Sequence, residues 1–200
     1  MRNIKIIEVK SEIGAGTRGA SLGIDALKIA ALDFMSNFFV NFPSEVVETE
    51  NNLLYEPVES PYAKRIRGIK NMYERIAKTV ESNLKSGLFP LVLSGDHSSA
   101  GGTIAGIKMA RPKNRLGVIW IDAHADIHSP YTTPSGNMHG MPLAVSLGED
   151  NLDCQVHHPD EPTVKLWNEL KNVGKICPKV LPEDIVLLPC AIPKKKKIIF

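Results

Sequence analysis

Two short apolar runs each end in a cluster of imidazole and carboxylate side chains, and this constrains the fold more than any other feature of the chain. Residues 90–93 (PLVL) lead into Ser94, Gly95, Asp96, His97 and Ser98, and residues 116–121 (LGVIWI) lead into Asp122, Ala123, His124, Ala125 and Asp126. An apolar run of four to six residues reads as a buried strand. Chemistry concentrated just past the carboxyl ends of such strands is the habit of open α/β sheets, whose ligands bind along that edge.

The rest of the chain fits that architecture. Residues 4–9 form a β-branched run, read as a buried strand, and a glycine-rich turn with Gly14, Gly16 and Gly19 follows. Leu22, Ala26, Leu27, Ala30, Ala31, Phe34 and Phe38 recur at three- and four-residue spacing and predict a helix. The strongest helical pattern opens at Pro61, carries Ile66, Ile69, Tyr73, Ile76, Ala77, Val80 and Leu84 on one stripe, and stops at Gly87. A further helix is predicted after His97, ending at Arg111 before Pro112. A loop rich in Ser, Thr, Pro and Gly runs to about Pro142, and residues 143–147 begin another helix. Asp160 is the expected N-cap of a helix through Leu170, closed near Gly174, and residues 184–188 read as one more strand. Alternating strands and helices predict an α/β layered fold with a mostly parallel sheet.

At 200 residues, 43% of them hydrophobic and 23% charged, the chain can bury one core of ordinary domain size. A net charge of +2 gives no reason to expect nucleic acid or a membrane surface as partner. No stretch approaches the roughly 20 apolar residues of a membrane span, and no secretory leader is recognisable, so a cytoplasmic protein is expected. Cys154, Cys177 and Cys190 are scattered without CxxC spacing and read as buried or idle thiols.

In an extended chain, Asp122, His124 and Asp126 project to one side. Two neighbouring carboxylates repel, and burying them is costly without a counter-charge, which a divalent metal supplies. His97 occupies the equivalent position on the other strand, whereas Asp96 points the other way and is assigned a role in supporting the backbone. Oxygen ligands with two imidazoles suit Mn²⁺, Fe²⁺, Co²⁺ or Zn²⁺, and the lack of thiolates argues against a structural zinc site. Several carboxylates suggest two ions sharing ligands, a pair that generates hydroxide at neutral pH. In the following loop, Ser135 and Asn137 offer hydrogen bonds to a substrate, and His139 offers a group titrating near neutrality.

Taken together, SGDHS at 94–98, DAHADI at 122–127 and SGNMHGMP at 135–142 resemble the ureohydrolase family and, within it, the arginases. GAGTRGASLG at 14–23 adds to the likeness. The resemblance implies a three-layer α/β/α fold around a parallel sheet and a site for two Mn²⁺ ions. It implies His97, Asp122, His124 and Asp126 as metal ligands, His139 as the proton-shuttling histidine, and Ser135 as a contact of the substrate α-carboxylate. Asn137 is expected beside it. The implied reaction is hydrolysis of L-arginine to L-ornithine and urea by hydroxide held between the metals; the sequence does not fix an oligomeric state, although the family is often a homo-oligomer, a trimer or hexamer. His128 stands where the family usually has asparagine and is expected to bind the substrate carboxylate in its place. The resemblance extends to about Leu188, so 1–188 is read as a partial ureohydrolase domain and 189–200 as an aberrant lysine-rich tail from a truncated or frameshifted product. Family members continue into another strand with a D-x-D pair.

Three competing readings remain at this level. One is an inactive fragment lacking the last metal ligands. Another is activity on agmatine or formimidoylglutamate, although Ser135 and Asn137 favour a substrate with an α-carboxylate. The third is dinucleotide binding by Gly14-x-Gly16-x-x-Gly19, weakened because residues 10–13 separate the glycines from their strand.

Overall fold

A computed structural model describes residues 3–189. Strand β1 (Ile4–Val9) is followed by helix α1 (Leu22–Asp33), a single turn α2 (Phe38–Asn41) and a short strand β2 (Ser44–Val46). Helix α3 (Ile66–Lys85) leads into β3 (Phe89–Ser94), α4 (Ser99–Ala110) and β4 (Val118–Asp122). The remaining elements are α5 (Pro142–Leu147), α6 (Glu161–Lys171) and β5 (Ile185–Pro189). Of the expected tail, Pro189 ends β5, and residues 190–200, Cys190 among them, fall outside the described residues.

Among the described residues all strand pairings are parallel, as the alternation of strands and helices predicts. They form two sheets rather than one: β2-β1-β3, and β4-β5. In β1 the period of two separates Ile7 and Val9, buried under α3, from Ile6 and Glu8 on the opposite face. Helix α1 covers that second face, where Lys28 Nζ lies 2.7 Å from Glu8 Oε1. The layers are therefore α3 and α4, then sheet, then α1. Helices α4 and α5 also join two cores. Ala105, Ala144 and Val145 belong to the core around α3, while Ile104, Leu143 and Leu147 pack with Trp120 and Val180 beneath β4.

Several expectations need correction. The helix after the glycine turn stops at Asp33, and Phe34, assigned to its apolar stripe, is 84% exposed. Leu22 and Leu27 also face solvent, because α1 turns Ile24 and Lys28 toward β1 instead. Helix α3 starts at Ile66 rather than Pro61, since Arg65 takes a left-handed backbone conformation (φ 58°) that no α-helix continues. Its stripe is buried as expected, from Ile66 through Val80. The strand at β4 is covered on one face only: Trp120 is buried, while Ile119 and Ile121 are each about two-thirds exposed. Asp160 caps α6, its Oδ1 accepting from the Thr163 amide at 3.0 Å. Cys154 and Cys177 are free and exposed. Among the described residues, no helix is long and apolar enough to cross a membrane.

Candidate metal centre

The carboxyl ends of β3 and β4 meet although the strands do not pair. After Ser94 the chain makes a tight turn through Asp96 that fixes where His97 points. Asp96 Oδ1 accepts from the Ser98 amide at 2.8 Å and Oδ2 from the Gly14 amide at 3.1 Å, the backbone role expected of it. The Ser94 and Ser99 hydroxyls donate to its carbonyl at 2.8 and 3.1 Å. Residue 14 must be glycine for this approach, because a β-carbon there would lie 2.5 Å from Ser98 Oγ and 2.7 Å from Asp96 Oδ1.

His97 Nδ1 then lies 2.8 Å from Asp126 Oδ2 and 3.0 Å from Asp122 Oδ2. One ligand atom from each of these three residues falls within 4.8 Å of the others. The hydrogen bond to Asp126 is the main cause of a raised His97 pKa, with the charges of both aspartates adding to it against partial desolvation. Below the imidazole lies Trp120, whose ring stacks on His97 at 4.6 Å between centroids and 23° between planes. Trp120 precedes Asp122 by two residues, so both project from the same face of β4. That spacing could have revealed its role from the sequence. Tyr73 of α3, fully buried, has its pKa raised by desolvation and then by the charges of Asp96 and Asp126, so it remains a neutral phenol.

His124 is not part of the cluster. The same-side reading of Asp122, His124 and Asp126 assumed an extended chain, but β4 ends at Asp122 and Asp126 has φ 49°. The bend carries Asp126 inward, where it is 9% exposed. The His124 side chain is 83% exposed, with Nδ1 3.5 Å from Asp122 Oδ1, while its amide donates to that oxygen at 2.8 Å.

The remaining candidates sit on the loop between β4 and α5. His128 Nδ1 lies 3.3 Å from Thr132 Oγ1, and desolvation by the loop pushes its pKa below the usual histidine value despite the Asp126 charge. Ser135 is exposed and its hydroxyl accepts from the Asn137 amide at 3.2 Å. The Asn137 side chain lies over Gly16, where a β-carbon would stand 2.8 Å from its Nδ2. His139 is exposed, and its amide donates to the Gly14 carbonyl at 3.1 Å. The glycine turn thus packs against both the Asp96 turn and this loop.

A carboxylate pair and an imidazole thus meet at the carboxyl edge of parallel strands in a group that could hold a metal ion. The family model described as "Arginase family" matches residues 2–174. The arginase of Brevibacillus brevis is 35% identical over 198 residues, covering 94% of this chain and 57% of the relative. The solved arginase of Bacillus caldovelox superposes with a TM-score of 0.70 at 34% identity, covering 94% of this chain and 57% of that one. An Entamoeba histolytica arginase solved with L-ornithine gives a TM-score of 0.69 at 25% identity, covering 94% and 58%. The chain belongs to the arginase family, and it spans a little under three-fifths of the length of these relatives.

Proposed function

We propose that this chain carries the metal-binding part of a hydrolase that converts L-arginine to L-ornithine and urea. The observation that carries the proposal is the convergence of His97, Asp122 and Asp126 on one point. Their donor set fits a hard divalent ion: two carboxylates balance its charge, and a neutral imidazole completes a mixed oxygen–nitrogen shell. Mn²⁺ is the ion we assign. When bound, such an ion lowers the pKa of a coordinated water and polarises the group under attack.

The chain's own residues supply the rest. The half-buried Asn137 amide and the Ser135 hydroxyl offer hydrogen bonds to an α-carboxylate. With its pKa lowered, His128 is neutral at pH 7 and meets the same carboxylate as a hydrogen-bond donor rather than as a charge. His139, open to water, takes a proton from solvent and delivers it to the departing amine. Agmatine lacks the carboxylate that this loop is suited to hold.

Urea release from L-arginine and from agmatine, measured side by side with added Mn²⁺, tests the reading. Urea from arginine in clear excess is expected. Urea from agmatine alone, or from neither, would overturn it.

A further inference from the structure

The loop bearing His128, Ser135, Asn137 and His139 has only one short 3-10 turn of its own, Met138–Gly140, yet Thr133, Gly136 and Met138 within it are buried. Something outside the loop must hold it. Thr133 is its pivot: 2% exposed, it accepts the Gly136 amide on its hydroxyl at 2.9 Å. The Thr133 carbonyl accepts from His157 Nε2 at 2.7 Å. His157 belongs to the segment before α6, outside every motif singled out in the sequence. Its ring stacks on Tyr62, with centroids 4.3 Å apart and planes at 17°. The backbone on both sides closes the arrangement. The amides of Val156 and His157 both donate to the Tyr131 carbonyl, at 2.9 and 3.0 Å, and the Lys64 amide donates to the Gly136 carbonyl at 2.8 Å.

We infer that His157, seated on Tyr62, is a positioning residue that sets where Ser135 and Asn137 stand. Because a carbonyl accepts this bond, the proton must sit on Nε2, and both the neutral tautomer and the imidazolium satisfy that. The clamp therefore needs a rigid N–H donor at this spot rather than a charge. Stacking on Tyr62 supplies the rigidity: a ring flattened against another aromatic has few competing rotamers. The effect passes through Thr133, whose hydroxyl holds the turn at Gly136, one residue from each of the two side chains in question. What the loop is for rests on the function proposed above; that His157 holds it does not.

Hydrogen exchange of the full chain, resolved to peptides spanning 131–139, compares wild type with His157→Ala, His157→Gln and Tyr62→Ala. Loss of the donor in His157→Ala is expected to speed exchange at Gly136 and Asn137 roughly tenfold, the scale of one hydrogen bond. Exchange in α3 should stay at the wild-type rate. His157→Gln, which keeps an N–H donor, should recover most of the protection, and Tyr62→Ala should lose part of it. In parallel, L-ornithine binding to the Mn²⁺-treated chain should weaken about tenfold in His157→Ala and recover in His157→Gln, with Mn²⁺ affinity unchanged within about twofold. Equal loop exchange in all four proteins would overturn the inference, as would a glutamine variant no better protected than the alanine. Should His157→Ala fail to fold, the glutamine and Tyr62 variants decide on the same criteria. A wild type that takes up no Mn²⁺ and binds no ornithine would count against the proposed function, while the exchange contrast still decides the clamp.

Discussion

The two ends of the candidate site are built differently. At the metal end, two strand ends deliver His97 and Asp122, and one bent residue, Asp126, closes the cluster; parallel strands and the core beneath Trp120 hold it. At the loop end, Ser135 and Asn137 depend on hydrogen bonds that Lys64 and His157 donate to the loop and that Gly14 accepts from it, contributed by three segments remote in sequence. The contrast shows that the candidate ligand positions inherit rigidity from the sheet, whereas the proposed substrate contacts have theirs assembled piecewise. The ends should therefore fail separately.

The largest separation is expected from Asp126→Ala. Removing a carboxylate in contact with His97 should lower Mn²⁺ affinity on the order of 100-fold or more by calorimetry, with loop exchange unchanged. The converse variant is Gly136→Ala. Gly136 has φ 73°, and a β-carbon there would run into the Pro61 carbonyl oxygen. Forcing alanine into this conformation should cost about 1–3 kcal/mol, read as a lower Tm, while Mn²⁺ affinity stays near wild type. If Gly136→Ala weakens Mn²⁺ binding as much as Asp126→Ala, the two ends are not independent. Trp120→Leu keeps an apolar side chain under His97 but removes the stacked ring. A loss of roughly tenfold in Mn²⁺ affinity is expected, the lower range for residues that orient a ligand.

The smallest effect concerns pH. His97 gains a proton more readily in the folded chain than an ordinary histidine near 6.5. A raised folded-state pKa adds stability that is fully present below the unfolded value and is lost as pH rises through the folded one. Without metal, wild type should therefore be more stable relative to His97→Gln at pH 5.5 than at pH 8.5. Metal binding runs the other way, because the proton competes for the same nitrogen, so Mn²⁺ affinity should fall as pH drops through the same range. A difference in stability independent of pH would remove the charge pairing at this end.

What the sequence made legible follows the same division. The metal end could be read because apolar runs at 90–93 and 116–121 announce strands, and the chemistry sits directly after them. Helix α3 was equally plain from its unbroken stripe. Periodicity alone says nothing about which side is covered, however, so α1 showed a stripe whose Leu22, Leu27 and Phe34 the structure leaves in solvent while Ile24 and Lys28 face the sheet. Alternation past Asp122 misled for a different reason. Nothing in D-A-H-A-D reveals that β4 ends at Asp122 and that Asp126 takes a positive φ, and together these leave His124 outside the cluster. The clamp at His157 was hidden because its partners, Tyr62 and Thr133, lie 95 and 24 residues away and belong to no periodic element.

The most direct measurement is a calorimetric titration of Mn²⁺ into the metal-free chain at pH 7.5, repeated with Asp122→Asn and with Asp126→Asn. Saturable uptake of at least one ion per chain is expected, reduced on the order of 100-fold or more by either substitution. Absence of saturable uptake by the wild-type chain, or equal uptake by all three proteins, would contradict a metal centre at His97, Asp122 and Asp126.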